Sequence, residues 1–284
     1  GSGWSWDDYQ EAYLAERSAF PIYGNVISFL RKNYQLQATP SLVMRPPFMN
    51  ESMMQQLGKG DQFQITRSPD QNQFSIVSAT RTFRSAIIPF KTKDGVTSFQ
   101  FLQDTLQKIG ITSSIQFSAR KPAGNLLYSI PTDSLLKPLM HRSDNFFAEQ
   151  SLLMVSQRVL NRMNEEQLID TLLKTDFADL PQQPRWADGS GLSRYNLFSP
   201  QDFVRILEKM KDQFGMDRIK VIFPTGGEGT LASYYKQDSG SIYAKTGTLS
   251  GVVALSGYLY TKKGKLLLFS TLVNNHRSSS SEIR

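Results

Sequence analysis

The chain has 284 residues, 39% hydrophobic and 11% aromatic, with 32 basic against 25 acidic side chains and a net charge of +7. That length fits roughly two domains with sizeable cores and excludes a disordered chain, while the absence of cysteine excludes disulfides, zinc–thiolate sites and a cysteine nucleophile. No run of about 18 apolar residues occurs, so no transmembrane helix is expected, and the dispersed basic residues read as a soluble basic surface rather than a nucleic-acid footprint.

The first four residues, Gly1-Ser2-Gly3-Trp4, have neither the charged nor the apolar region of a signal peptide. Such a start is compatible with a cloning scar or with a chain that begins inside a longer protein. Further on, residues 62–66 and 73–77 alternate polar with apolar around the turn-like 68–72, which predicts two paired strands. Residues 82–90 continue in the same manner. After Asp94-Gly95, the spacing of Phe99, Leu102, Leu106 and Ile109 predicts a helix that Gly110 stops.

Near Gly124 the pattern changes. Phe147, Leu152, Val155, Val159 and Leu160 predict one long helix, residues 165–174 a second, and 200–211 a third. Ser199 suits the N-cap of the third, Pro200 its first position, and Asp202 its dipole. Residues 241–245, 252–260 and 266–274 read as strands. The last two join as an antiparallel hairpin through 261–265, where Lys262, Lys263 and Lys265 are the densest basic cluster. A β-rich region, 1–125, therefore precedes a helix-rich region, 126–284, that ends in an antiparallel sheet.

Two short motifs carry chemistry. Lys245-Thr246-Gly247-Thr248 offers an ammonium and two hydroxyls along a strand, with a glycine that lets a ligand approach the backbone. Such an edge suits main-chain pairing with an extended peptide and the capture of a terminal carboxylate. Ser143-Asp144-Asn145 stands at the head of a helix, where Ser143 could relay a proton and Asn145 could donate to an amide oxygen. Each motif alone is an ordinary strand end or N-cap. In this order, they are two of three signatures of serine enzymes acting on D-alanyl peptides and β-lactams.

The second half resembles the DacB-type D-alanyl-D-alanine carboxypeptidase/endopeptidase family, the class C low-molecular-mass penicillin-binding proteins. The resemblance is carried by 141–149, by Asp188-Gly189-Ser190-Gly191-Leu192-Ser193-Arg194, by 223–231 and by 243–248. The opening Gly3-Trp4-Ser5-Trp6-Asp7-Asp8 resembles a segment within that family's inserted accessory domains. The resemblance implies an α/β (α+β) penicillin-binding, serine β-lactamase-like domain: an antiparallel sheet with helices on both faces and a β-rich insertion. It implies acyl transfer on peptidoglycan peptides ending in D-Ala-D-Ala, inhibition by β-lactam antibiotics, no cofactor or metal, and a periplasmic or other extracytoplasmic setting. Ser143, Asn145 and Lys245 would then be catalytic, with Thr246, Gly247 and Thr248 binding substrate and the Thr248 N–H in the oxyanion hole.

The family's third signature, the Ser-x-x-Lys nucleophile, precedes the inserted domains and is expected upstream of residue 1. Three matches occur, at Ser118, Ser134 and Ser233, where about one or two are expected by chance. Ser118 lies in a strand-like stretch, Ser134 is nine positions from Ser143, and Ser233 falls after the second motif. None suits the role, and the chain reads as a fragment without its nucleophile. His141 and His276 fit neither a triad nor a metal site. The Asp188–Arg194 segment reads as a tight turn under the site floor, with Arg194 as an anchor. Trp4 and Trp6 read as packing residues. Rival readings are a serine β-lactamase and a catalytically silent wall-binding scaffold.

Overall fold

A computed structural model describes residues 1–33, 35–50, 62–114, 116 and 128–283. The chain falls into two units: one of Ser5–Leu126, the other of Gly1–Trp4 together with Leu127–Arg284. The expected division at 125/126 lies outside the described residues. The first four residues join the helix-rich unit rather than the β-rich one.

In the β-rich unit, β1 (Val26–Lys32) pairs antiparallel with β2 (Gln35–Thr39), a hairpin that the sequence reading passed over. The predicted strand pair is present as β3 (Gln62–Arg67) and β4 (Phe74–Thr82). The expected continuation through 82–90 is interrupted. The strand β5 (Ser85–Pro89) leaves β4 and pairs with β1, giving the order β2-β1-β5. The helix α1 (Val96–Lys108) buries Phe101 against Phe90 in a T-shaped pair at 5.0 Å. Ile27, Phe29, Val43, Met49 and Phe74 complete a core with almost no exposure, so apolar burial drives this unit.

In the other unit, α2 (Thr132–Arg142) was not anticipated, because Pro138 sits inside it and supplies no N–H for the helical ladder. It leads directly into α3 (Asn145–Leu160) and then α4 (Glu165–Lys174). The helix α5 (Pro200–Ile222) runs well past the expected end at 211. Gly215, at φ 74°, breaks its course, and the chain then resumes helix so that Ile219 and Ile222 reach the core. Ser199 caps its start as expected, and Asp202, expected only to complement the dipole, also accepts from the Ser199 N–H.

Three strands close this unit in the order β6-β7-β8: β6 (Ile242–Leu249), β7 (Val252–Tyr260) and β8 (Leu266–Asn274), all antiparallel. A single helical turn, α6 (Ser280–Ile283), follows. Strand alternation divides the sheet into two faces. Tyr243, Tyr258, Leu266 and Leu268 pack against α5 and α2 with Leu207, Phe223 and Leu136. Tyr258 is fully buried there and its hydroxyl donates to the Leu207 carbonyl at 2.6 Å. The opposite face, with Ile242, Ala244, Leu255 and Leu259, is lined by Leu231, Tyr234 and Tyr235. Among the described residues, α-helices therefore cover one face of the sheet, and short 3₁₀ turns at 229–231 and 236–238 stand at the other.

Candidate active site

The two sequence motifs meet. Lys245 donates from Nζ to Ser143 Oγ at 2.8 Å, across 102 positions of chain. The ammonium also donates to the Thr246 carbonyl at 2.6 Å, which holds it along its own strand. Because Lys245 occupies a lone pair of Ser143, the serine's own O–H is directed elsewhere.

Local structure explains how Ser143 reaches that point. It closes α2 in the left-handed conformation, at φ 55° and ψ 51°. A non-glycine residue held there is strained, and such strain concentrates at functional positions. The next residue, Asp144, is the N-cap of α3 and accepts from Phe147 N at 3.0 Å. Asn145 is thus the first helical residue of α3. One sharp junction between two helices presents Ser143 to solvent and Asn145 two positions later.

Behind this junction α2 is fixed against the 229–231 turn. A Cβ on Gly229 would stand 2.7 Å from the His141 carbonyl, and Gly229 has φ +49°. His141 Nε2 is buried without a hydrogen-bond partner. Burial, then Lys137, depresses its basicity, which Glu228 partly opposes. Nε2 therefore bonds to no serine.

On the strand side, Lys245 and Gly247 share the face of Tyr243, whereas Thr246 shares the buried face of Ile242 and Ala244. Thr246 is 7% exposed, while Thr248 is exposed. Within the described sheet β6 is an edge strand. Its first half is flanked by the Thr225–Tyr243 bridge and by the bond from Ala244 N to the Pro224 carbonyl.

Two of the three Ser-x-x-Lys matches lie among the described residues. Ser134 lies in the first turn of α2, nine residues before Ser143, which puts it ~13 Å away along the helix axis. Ser233 sits between the two 3₁₀ turns at 229–231 and 236–238. The match at Ser118 lies outside the described residues. Among the described residues, no cluster of three or more histidines or carboxylates could hold a metal ion.

Sequence reasoning missed two buried carboxylates. Asp188 is 4% exposed and accepts from Gly191 N, Ser193 N, Asn196 Nδ2 and Trp4 Nε1 at 2.6–2.8 Å. Trp4 thus packs as expected, whereas Trp6 is 80% exposed, contrary to its packing assignment. Glu149 is 1% exposed and accepts from both the N–H and the hydroxyl of Ser190. An Asp-Gly-Ser-Gly run gave a turn signal, but nothing in the sequence indicated its partner on α3.

Residues 1–284 match the D-Ala-D-Ala carboxypeptidase 3 (S13) family, and the chain belongs to it. It is 28% identical over 198 residues to the D-alanyl-D-alanine carboxypeptidase DacB of Haemophilus influenzae, covering 64% of this chain and 41% of that one. It is 39% identical over 97 residues to a D-alanyl-D-alanine carboxypeptidase of an Actinomadura species, covering 31% and 18% respectively. The chain therefore spans less than half the length of these curated relatives. The crystal structure of penicillin binding protein 4 (dacB) from Haemophilus influenzae superposes with a TM-score of 0.73 at 22% identity, over 98% of this chain and 66% of that one. The fold is accordingly that of a penicillin-binding protein, with mixed helix and antiparallel sheet. No described helix is long and apolar enough to cross a membrane.

Proposed function

We propose that this chain carries part of the catalytic apparatus of a serine-type D-alanyl-D-alanine carboxypeptidase/endopeptidase, penicillin-sensitive and acting on peptidoglycan peptides outside the cytoplasm. The observation that carries the reading is the 2.8 Å bond between Lys245 and Ser143, which joins two family motifs at one place. Membership of the family and the names of the relatives support it. A penicillin binding protein 4 from Haemophilus influenzae has been crystallised in complex with a β-lactam, which supports the same ligand class here.

In this reading a serine on a segment outside the given sequence passes its proton to its own motif lysine and attacks the D-alanyl carbonyl, and the scissile C–N bond breaks to leave an acyl-enzyme. Ser143, with its lone pair engaged by Lys245, turns its proton toward the departing amine and is reprotonated through the ammonium. Asn145 donates to a substrate amide oxygen. The backbone of Thr246, Gly247 and Thr248 holds the peptide against β6 by main-chain pairing, and the Thr248 N–H faces the developing oxyanion. Water then cleaves the acyl-enzyme.

Fluorescent penicillin and a peptide ending in D-Ala-D-Ala, offered to the full-length protein, test this reading. Covalent labelling at a Ser-x-x-Lys serine together with D-alanine release is expected. Rapid penicillin turnover without peptide hydrolysis would indicate a β-lactamase, and neither reaction would indicate a silent scaffold.

A further inference from the structure

The 188–194 turn touches both walls of the site. On one side it is clamped to α3. Ser190 donates to Glu149 Oε1 through its N–H at 2.9 Å and its hydroxyl at 2.7 Å. Gly189 lies so close to the helix that a Cβ would stand 2.8 Å from the Ala148 carbonyl. Glu149 is four residues after Asn145, one helical turn along the same side, or ~6 Å. On the other side Arg194 Nη2 donates to the Ser250 carbonyl at 3.2 Å, in the turn that ends β6 two residues after Thr248.

The turn itself is stiff. Asp188 ties together Gly191, Ser193 and Asn196 through one buried carboxylate. Burying a carboxylate is costly unless it is fully hydrogen-bonded. Two such groups, Glu149 and Asp188, are committed here to holding backbone shape rather than to any step of acyl transfer.

We infer that the turn is a cross-brace, with Glu149 and Ser190 as positioning residues, that sets the separation between the Ser143–Asn145 junction and the Lys245–Thr248 strand. The inference rests on the site reading proposed above. A misplacement of about 1 Å in such a site costs on the order of 10²-fold in rate, so the brace acts on turnover more than on affinity. Ser190→Ala removes the hydroxyl half of the clamp, and Glu149→Ala removes the acceptor. Glu149→Gln keeps an Oε1 that can accept both bonds.

Two measurements test this together. In the 284-residue chain, Ser190→Ala is expected to speed amide exchange of residues 144–150 about tenfold while leaving 96–108 unchanged; unchanged exchange at 144–150 would overturn the brace. In the full-length protein, kcat for D-alanine release is expected to fall about tenfold in Ser190→Ala and further in Glu149→Ala, with KM within twofold. Glu149→Gln is expected to recover most of the loss. A raised KM at constant kcat, or no recovery by glutamine, would overturn the positioning role. Faster exchange in the variant, with a wild-type protein that neither releases D-alanine nor takes up penicillin, would leave the brace standing and sink the functional reading instead.

Discussion

The indole Nε1 of Trp4 donates to Asp188 Oδ2 at 2.8 Å, a bond between residues 184 positions apart. It explains why the first four residues belong to the helix-rich unit. Two further bonds follow the same path: Ser193 Oγ donates to the Ser2 carbonyl at 2.7 Å, and Arg194 N to the Gly3 carbonyl at 3.4 Å. Trp4→Phe keeps most of the ring but removes the N–H, leaving a buried carboxylate one donor short. A hydrogen bond to a charged group contributes about 1.5–3 kcal/mol. Urea denaturation followed by circular dichroism is expected to show a stability loss of that size. A loss under about 0.5 kcal/mol, the range of an ordinary surface substitution, would mean that solvent replaces the indole.

Ser143 and Lys245 are expected to behave as one unit. If Lys245 acts by directing and reprotonating Ser143, removing either should abolish the same step. In the full-length protein, Lys245→Ala and Ser143→Ala should each slow penicillin acylation by about 10²–10⁴-fold, the span of general acid–base assistance. The double variant should be hardly slower than the worse single variant, since groups acting together are non-additive. Multiplicative losses would show that the two act independently, against the 2.8 Å contact.

Much of this site was readable in the sequence because its motifs are short and self-contained. Lys245 and Ser143 stood out by residue type and order, and α4, β7 and β8 match their expected spans to the residue. Their periodicity is local, so no distant contact was needed to reveal it. Elsewhere, tertiary contacts overrode the local signal. Pro138 hides α2, yet packing of Leu136 and Met140 on α5 and the sheet sustains the helix across the missing bond. The fork between Arg218 and Asp133, at 2.7–3.1 Å, adds a second tie between the same two helices. The helix α5 overruns its expected end at 211, because the apolar residues beyond Gly215 are drawn into the core. The Glu149–Ser190 clamp joins residues 41 apart, and no pattern in either segment encodes the other.

The helix junction at Asp144 should be thermodynamically visible. Its carboxylate satisfies the Phe147 N–H, one of the amides left unpaired at a helix start. Replacing an N-cap aspartate by alanine costs about 1 kcal/mol. Asp144→Ala is expected to lower the stability of the helix-rich unit by that amount in chemical denaturation. Asn145 begins the helix that this cap anchors, so the same change should also slow acylation of the full-length protein. A stability loss with unaltered acylation would separate the cap from the chemistry.

Asp179 supplies a pH test whose sign can be fixed in advance. It accepts from Arg205 Nη2 and Lys209 Nζ, each at 2.6 Å. The hydrogen bonds from Lys209 and then Arg205 hold its pKa down to about 2, from 3.8. A carboxylate with a lower pKa in the folded state contributes stability above its unfolded pKa, and that contribution fades as pH falls through the folded value. The contribution of Asp179 should therefore be complete above pH 3.8 and disappear toward pH 2. The side chains are well exposed, so the effect should be small and weaken with added salt. Melting curves of wild type and Asp179→Asn, taken from pH 6 to pH 2, should differ by a constant interval above pH 4 and converge below it. An interval that stays constant through the acid limb would mean that Asp179 is not paired in the folded protein, because a carboxylate with the same pKa folded and unfolded adds nothing that varies with pH.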